Sequence, residues 1–155
     1  MSERTYWLCK SEPDNYSIDE LEADKVTPWD GVRNYGARNY MRDGMNIGDL
    51  CFFYHSNQKP PAIVGMMKVV SKAYPDALQF DPLSKYFDEK SSEAEPRWIN
   101  VDMEFVEKFT NPITRDQLKE KESLASMELF RLGRYSITQV SKEEWDTIVT
   151  LKNGS

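Results

Sequence analysis

The sequence predicts an α+β domain in which helices surround a small mixed β-sheet or β-barrel of about five to six strands. Residues 49–55 and 62–70 are apolar segments joined by a short loop, which indicates a β-hairpin. Residues 99–105 alternate apolar and polar side chains, which is typical of a half-buried strand. Strands and helices do not alternate as a βαβ series, so we do not expect a doubly wound parallel sheet.

Short-range patterns predict the individual elements. In chain order they are a strand (5–10), a helix (18–24), a turn (27–31), a helix (32–43), the hairpin strands (49–55 and 62–70), a strand (97–109), a helix (115–121), a helical turn within 123–130, a strand (134–140) and a helix (142–150). Three capping boxes predict helix starts, at Ser17 with Glu20, Thr114 with Gln117 and Ser141 with Glu144. Pro28 and Gly31 indicate the turn. Residues 74–96 are acidic and irregular, and such long loops are often functional.

Length and composition limit the class of protein. The 155 residues fit one domain, spanning 1–155. No apolar run approaches the roughly 18 residues of a membrane helix, and no signal peptide is recognisable, so we expect no membrane partner. Cys9 and Cys51 lack a second Cys or His at ligand spacing, which predicts buried free thiols and no metal or cofactor. We expect a monomer in the cytoplasm of a bacterium or the nucleus of a eukaryote.

The net charge of -6 argues at first against nucleic acid, because phosphate binding needs a positive field. The charge is uneven, however. Residues 31–72 hold six basic and two acidic residues, and aromatic side chains are interleaved with the bases. On a helix Asn34, Arg38 and Arg42 would share one face, which could grip phosphates or could be an ordinary solvated face. Aromatic rings beside arginine are what unstacked bases need.

No catalytic constellation is recognisable in the sequence. His55 is the single histidine, and Cys51 lies about 13 Å along the same predicted strand at ~3.3 Å per residue, too far for direct pairing. Nucleotide-binding and hydrolase motifs are absent from the sequence. We therefore expect His55 to pack or to form a hydrogen bond at a strand end, with ligand contact as the alternative.

Several segments resemble the EVE domain family. They are 6–13 (YWLCKSEP), 29–35 (WDGVRNY), 37–39 (ARN), 52–57 (FFYHSN), 73–76 (AYPD), 96–98 (PRW) and 136–140 (SITQV). The resemblance extends over about residues 5–150 and implies a PUA-like fold. It also implies kinship with YTH domains, which read a methylated adenine in RNA through an aromatic cage. EVE domains are regarded as readers of modified nucleobases, and no accepted catalytic activity or cofactor accompanies the family.

The resemblance also implies a set of site residues. The nucleobase pocket would be formed by Lys10, Ser11, Trp29, Asn34, Tyr54, His55, Ser56, Tyr86 and Trp98, with Trp29 as the first cage wall. The basic, aromatic-rich segment predicts phosphate contacts from Arg33, Arg38, Arg42 and Lys59, and the resemblance adds Arg134. Gly36 departs from the family, which often has a larger polar residue there.

The leading hypothesis is a non-catalytic module that reads a modified base, such as a modified cytosine, in DNA or RNA. The first alternative is an enzyme acting on modified bases or nucleosides, motivated by Lys10, Ser11 and His55. The second is a protein-interaction module, motivated by the acidic segments 12–30 and 73–107.

Overall fold

A computed structural model describes residues 4–154 and shows a mixed six-stranded sheet that forms a half-barrel. The strands are β1 (Tyr6–Ser11), β2 (Val26–Pro28), β3 (Leu50–His55), β4 (Ala62–Val69), β5 (Tyr74–Pro75), β6 (Ile99–Asn100), β7 (Asp102–Thr114) and β8 (Ile137–Val140). The sheet order is β2-β7-β4-β3-β1-β8, while β5 and β6 form a separate two-stranded ribbon. Strand β1 runs parallel to β3, and the other described pairings are antiparallel.

The helices cover both faces of this sheet. They are α1 (Ile18–Asp24), α2 (Tyr35–Asn39) continued by a π-helical turn (Tyr40–Gly44), α3 (Arg115–Lys119), α4 (Glu128–Arg131) and α5 (Lys142–Gly154), with 3₁₀ turns at Ala77–Phe80 and Glu122–Leu124. All three predicted capping boxes are confirmed. Within the described residues, no helix has the length and apolar character needed to cross a membrane.

Buried side chains form a core on each face of the sheet, because both faces are covered. Phe53 and Trp29 belong to one core, and Phe52 and Tyr54 belong to the other. The alternation of β3 correctly predicts that Phe53 and Tyr54 point to opposite faces. Both residues are buried, at 0% and 3% exposure.

Three predicted elements differ from the structure. Residues 26–28 form the edge strand β2 rather than part of a turn, and Pro28 is tolerated there because an edge strand can leave one hydrogen-bonding side unpaired. The predicted strand 97–109 is interrupted at Val101, and its second part extends to Thr114. The helix predicted over 32–43 begins at Tyr35 and widens into the π-helical turn, where the Met45 amide donates to the Tyr40 carbonyl.

Cys9 and Cys51 are buried free thiols, as predicted. Burial, followed by the neighbouring Cys9, raises the pKa of Cys51 well above its ordinary value. The thiol therefore stays protonated and behaves as a small apolar side chain.

Candidate nucleic-acid interface

An open cavity of about 600 Å³ lies at the end of β1 where that strand meets β8. Five separate stretches line it, namely the end of β1 with the following loop, the loop after β2, the end of β3, residues 85–86 and residues 133–136. Backbone pairing closes one side, since Lys10 N donates to Ser136 O at 2.8 Å and Ser56 N donates to Ser11 O at 3.0 Å. The cavity is wide enough for a nucleobase, given that ligand cavities usually span about 300–1,000 Å³.

Trp29 forms an aromatic wall of this cavity. Its backbone amide donates to Val101 O at 2.8 Å, which holds the residue directly after β2. Its ring meets Phe53 edge-on at 5.4 Å between centroids and is only 7% exposed. Because Trp29 also lines the cavity, the ring packs on the core and borders the open space. Its position is therefore fixed before any ligand arrives.

Tyr86 supplies a second aromatic ring from the long acidic segment. A Cβ atom on Gly31 would lie 3.0 Å from two carbons of that ring, so the ring packs directly on the glycine backbone. Gly31 also has a φ of +79°, which other residues rarely adopt. Glycine at this position thus allows both the bend after Trp29 and the close approach of Tyr86.

An ion pair between the buried Asp76 and the partly exposed Arg33 holds these two walls together. Asp76 is 0% exposed, and its carboxylate accepts hydrogen bonds from Gly31 N at 2.8 Å, Arg33 Nη1 at 3.0 Å and Leu78 N at 2.7 Å. Arg33 in turn donates to the Tyr86 carbonyl through Nε at 3.1 Å and Nη2 at 2.8 Å. Arg33 lines the cavity, but most of its donors are already occupied by these contacts.

Tyr135 also lines the cavity and packs on Gly36. A Cβ atom on Gly36 would collide with the Tyr135 ring, so the absence of a side chain gives this ring its place. Tyr135 also meets Tyr40 edge-on at 6.3 Å between centroids. The departure from the family pattern at Gly36 therefore has a steric explanation.

Asn34 begins helix α2 rather than lying on its face. Its side-chain Oδ1 accepts a hydrogen bond from Ala37 N at 2.9 Å, as an N-cap does. The predicted shared face of Asn34, Arg38 and Arg42 is therefore wrong, because Asn34 precedes the helix and Arg42 lies in the π-helical turn. Asn34 still lines the cavity, with its side-chain NH₂ left over as a donor.

The cavity is cationic although the protein is acidic. Four basic residues line it, Lys10, Arg33, Lys85 and Arg134, against two acidic ones, Glu12 and Asp30. Only Arg33 of these cations comes from the basic segment 31–72.

Lys10 donates to Gly133 O at 2.9 Å, and burial, followed by the charge of Arg115, lowers the pKa of its amine. Arg134 is exposed and donates no hydrogen bond to the described residues, so it is available to a phosphate.

The structure places several predicted site residues outside the cavity. Tyr54 is buried in the core on the other face, and Trp98 stacks under the exposed ring of Tyr35 at 4.8 Å between centroids. Arg38 donates to Asn39 Oδ1 and to Arg97 O, and Arg42 pairs with its neighbour Asp43. Lys59 is exposed and does not line the cavity. Trp98 therefore packs against Tyr35 and is not part of the cavity lining.

His55 caps helix α1 and does not line the cavity. Its Nε2 accepts a hydrogen bond from Ile18 N at 3.1 Å, and its ring meets Phe53 edge-on at 5.5 Å. The cluster of Lys10, Ser11 and His55 that motivated the enzyme hypothesis is therefore not assembled. Ser11 Oγ donates instead to Tyr16 O at 2.6 Å. Among residues 4–154, no group of three or more His, Cys, Asp or Glu side chains is arranged to hold a metal ion.

This cap predicts a pH dependence of stability. Burial is the largest cause that lowers the pKa of His55 from its ordinary 6.5. The imidazole must also be neutral for its Nε2 to accept the hydrogen bond from Ile18 N. The unfolded chain takes up the proton first, so the stabilisation is complete above about pH 6.5 and is lost as the pH falls towards the folded pKa. Urea unfolding from about pH 7.5 to about pH 5 measures it.

A His55→Leu variant is the control for this dependence, since His55 is the single histidine of the chain. The variant should be less stable at about pH 7.5 and should show a flatter pH profile over the same range. An unchanged pH profile would contradict the role of His55.

Several cavity residues were missed in the sequence, among them Asp30, Lys85 and Tyr135. Lys85 and Tyr135 lie far from Trp29 along the chain, so no local pattern associates them. Asp30 directly follows Trp29 within the segment 29–35, and its position beside the predicted cage wall could have singled it out.

Comparisons with known proteins agree with this geometry. The EVE domain family model matches residues 5–151. Thymocyte nuclear protein 1 of Rattus norvegicus is 42% identical over 166 residues, covering 95% of this chain and 73% of that protein. A hypothetical protein from Leishmania major superposes with a TM-score of 0.95 at 43% identity, covering 98% of this chain and 96% of the other.

A further solved structure contains a ligand. Human THYN1 protein in complex with DNA that contains 5-methylcytosine superposes with a TM-score of 0.91 at 40% identity, covering 96% of this chain and 97% of the other. Sequence and fold agree over nearly the whole chain, and the chain belongs to the EVE domain family.

Proposed function

We propose that this protein binds nucleic acid and holds one modified nucleobase, a methylated cytosine in DNA first of all, in the cavity between Trp29 and Tyr86. The observation that carries the proposal is the human relative, which has 40% identity and was solved with DNA containing 5-methylcytosine. The cavity supports it with aromatic walls, spare polar groups and cations on one concave surface.

The physical requirements of base recognition are met by different residues. A base taken out of its stack needs an aromatic face, and stacking contributes about 1–3 kcal/mol per base. Trp29 and Tyr86 can supply that face. Asn34 and Ser56 bring polar groups to the same space. Lys85 and Arg134 are exposed cations at the cavity and are suited to the flanking phosphates.

The acidic surface has a role in this proposal. A net charge of -6 gives little long-range attraction to bulk nucleic acid, so affinity must come from the cavity and its own cations. In a eukaryote the protein would act in the nucleus, as the name of its thymocyte relatives indicates for them. It would act as a monomer.

The test is a binding measurement with matched oligonucleotides. Duplex DNA with one central 5-methylcytosine should bind about tenfold more tightly than the same duplex with cytosine, the range that one methyl group contributes in an apolar pocket. Fluorescence anisotropy at about 50 mM and about 150 mM salt measures both affinities, and an RNA of the same sequence decides between the two nucleic acids.

The Arg134→Ala variant is the control for phosphate binding. It should weaken both duplexes alike and reduce the salt slope by about one, because it removes a contact that carries no base information. Equal binding of methylated and plain duplexes at both salt concentrations would refute the proposed function.

A further inference from the structure

Asp30 places a carboxylate in the cavity directly beside the Trp29 wall. Within residues 4–154, no other residue donates a hydrogen bond to this carboxylate. The nearby cation, Arg33, is instead held by Asp76 and by the carbonyls of Val32 and Tyr86. Asp30 is an exposed residue of the cavity lining. Desolvation, followed by the charge of Asp76, raises the pKa of its carboxyl group, and the charge of Arg33 acts in the opposite direction. Asp30 is therefore an acceptor with unused capacity.

Asn34 places a donor in the same cavity. Because its Oδ1 is fixed on Ala37 N at 2.9 Å, the side chain cannot turn without breaking the cap of helix α2. The NH₂ group consequently keeps one orientation as a donor, and Asn34 is one of the residues that line the cavity. The cavity thus offers one fixed donor and one unpaired acceptor, four residues apart along the loop.

This pair of groups distinguishes two classes of base. Cytosine and adenine carry an exocyclic amine that donates, next to a ring nitrogen that accepts. Thymine, uracil and guanine carry an oxygen that accepts, next to a ring N–H that donates. We infer that Asp30 accepts from the exocyclic amine of the bound base while Asn34 donates to its neighbouring acceptor, so that the cavity selects amine-bearing bases over oxo-bearing ones.

This inference rests on the proposed function and names the base class that the same site takes. It can be tested separately, because 5-methylcytosine and thymine share ring and methyl group. They differ at the position-4 substituent and at the proton on N3. Each is placed opposite an abasic site in an otherwise identical duplex, so that neither has a pairing partner to lose. A third duplex carries cytosine in the same position.

Wild-type protein should bind the 5-methylcytosine duplex about tenfold more tightly than the thymine duplex, in keeping with one base-edge hydrogen-bond pair. Asp30→Asn should erase most of this preference, since an amide can turn to accept from an amine or to donate to an oxygen. The variant breaks no hydrogen bond to another described residue, and an unchanged melting temperature confirms that it folds.

Glu12→Gln is the matched control. Glu12 also lines the cavity, and its carboxylate accepts from Asn15 Nδ2 at 3.3 Å, so the substitution makes the same change in charge at a different point. This variant should keep the preference for 5-methylcytosine over thymine. Loss of the preference in both variants would show that charge alone is responsible, and would overturn the hydrogen-bonding role of Asp30.

The remaining outcomes separate the inference from the proposed function. Equal binding of 5-methylcytosine and thymine, with cytosine weaker than both, would overturn the inference and leave a methyl-sensing reader. No binding of any of the three duplexes would overturn both.

Discussion

The Trp29→Ala variant is expected to lose the preference for a methylated base. Stacking contributes about 1–3 kcal/mol per base, which corresponds to a roughly 5- to 150-fold change in affinity. The methyl group can contribute to affinity only while the base is held against the Trp29 ring in van der Waals contact. Affinities for the methylated and plain duplexes should therefore fall to a common low value, measured by fluorescence anisotropy.

The same substitution also removes a packed side chain. Trp29 is only 7% exposed and contacts Phe53 edge-on, so its deletion should cost about 3–5 kcal/mol of unfolding free energy. Trp29→Phe is the control, because it keeps an aromatic wall and most of the core contact. It should fold and retain part of the preference. A folded Trp29→Ala protein with the full wild-type preference would contradict the assignment of this wall.

Asp76→Ala should be strongly destabilising. It removes the acceptor for Gly31 N and Leu78 N, and it leaves the Arg33 guanidinium beside an empty buried position. Breaking one partner out of a buried ion pair costs about 3–5 kcal/mol, because the remaining charge is left uncompensated. Urea unfolding with an unchanged m-value measures the loss.

Arg42→Ala provides the comparison for this effect. The Arg42–Asp43 pair is exposed on both sides, so its removal should leave the unfolding free energy nearly unchanged. Asp76→Asn should lie between the two, since it keeps one acceptor oxygen but loses the second oxygen and the charge. A cost for Asp76→Ala as small as that for Arg42→Ala would show that the ion pair does not hold the two walls together.

Patterns within a few residues were enough to predict much of the fold. The hairpin of β3 and β4 and the helix starts at Ser17, Thr114 and Ser141 were predicted correctly. Those features depend on contacts between residues that lie close together in the sequence. The edge strand at Val26–Pro28 was missed because its pairing partner, β7, lies about 75 residues away and supplies the hydrogen bonds.

The candidate site was less predictable for the same reason. Of the site residues that the resemblance implied, Trp29, Tyr86 and Arg134 line one cavity, together with Ser11 and Asn34. It did not reveal that Arg38 is occupied by backbone and amide oxygens. Side-chain partners depend on which segments meet in space, and a charge count along the chain carries no such information.

The contact between Gly36 and Tyr135 has a consequence for how the cavity can evolve. Any side chain at position 36 would push the Tyr135 ring off the helix, and that ring borders the open space. A substitution at Gly36, which does not line the cavity, would thus change the shape of the cavity and the size of the ligand that fits it. Positions 36 and 135 should accordingly covary among family members, because the two residues together limit the size of the ligand.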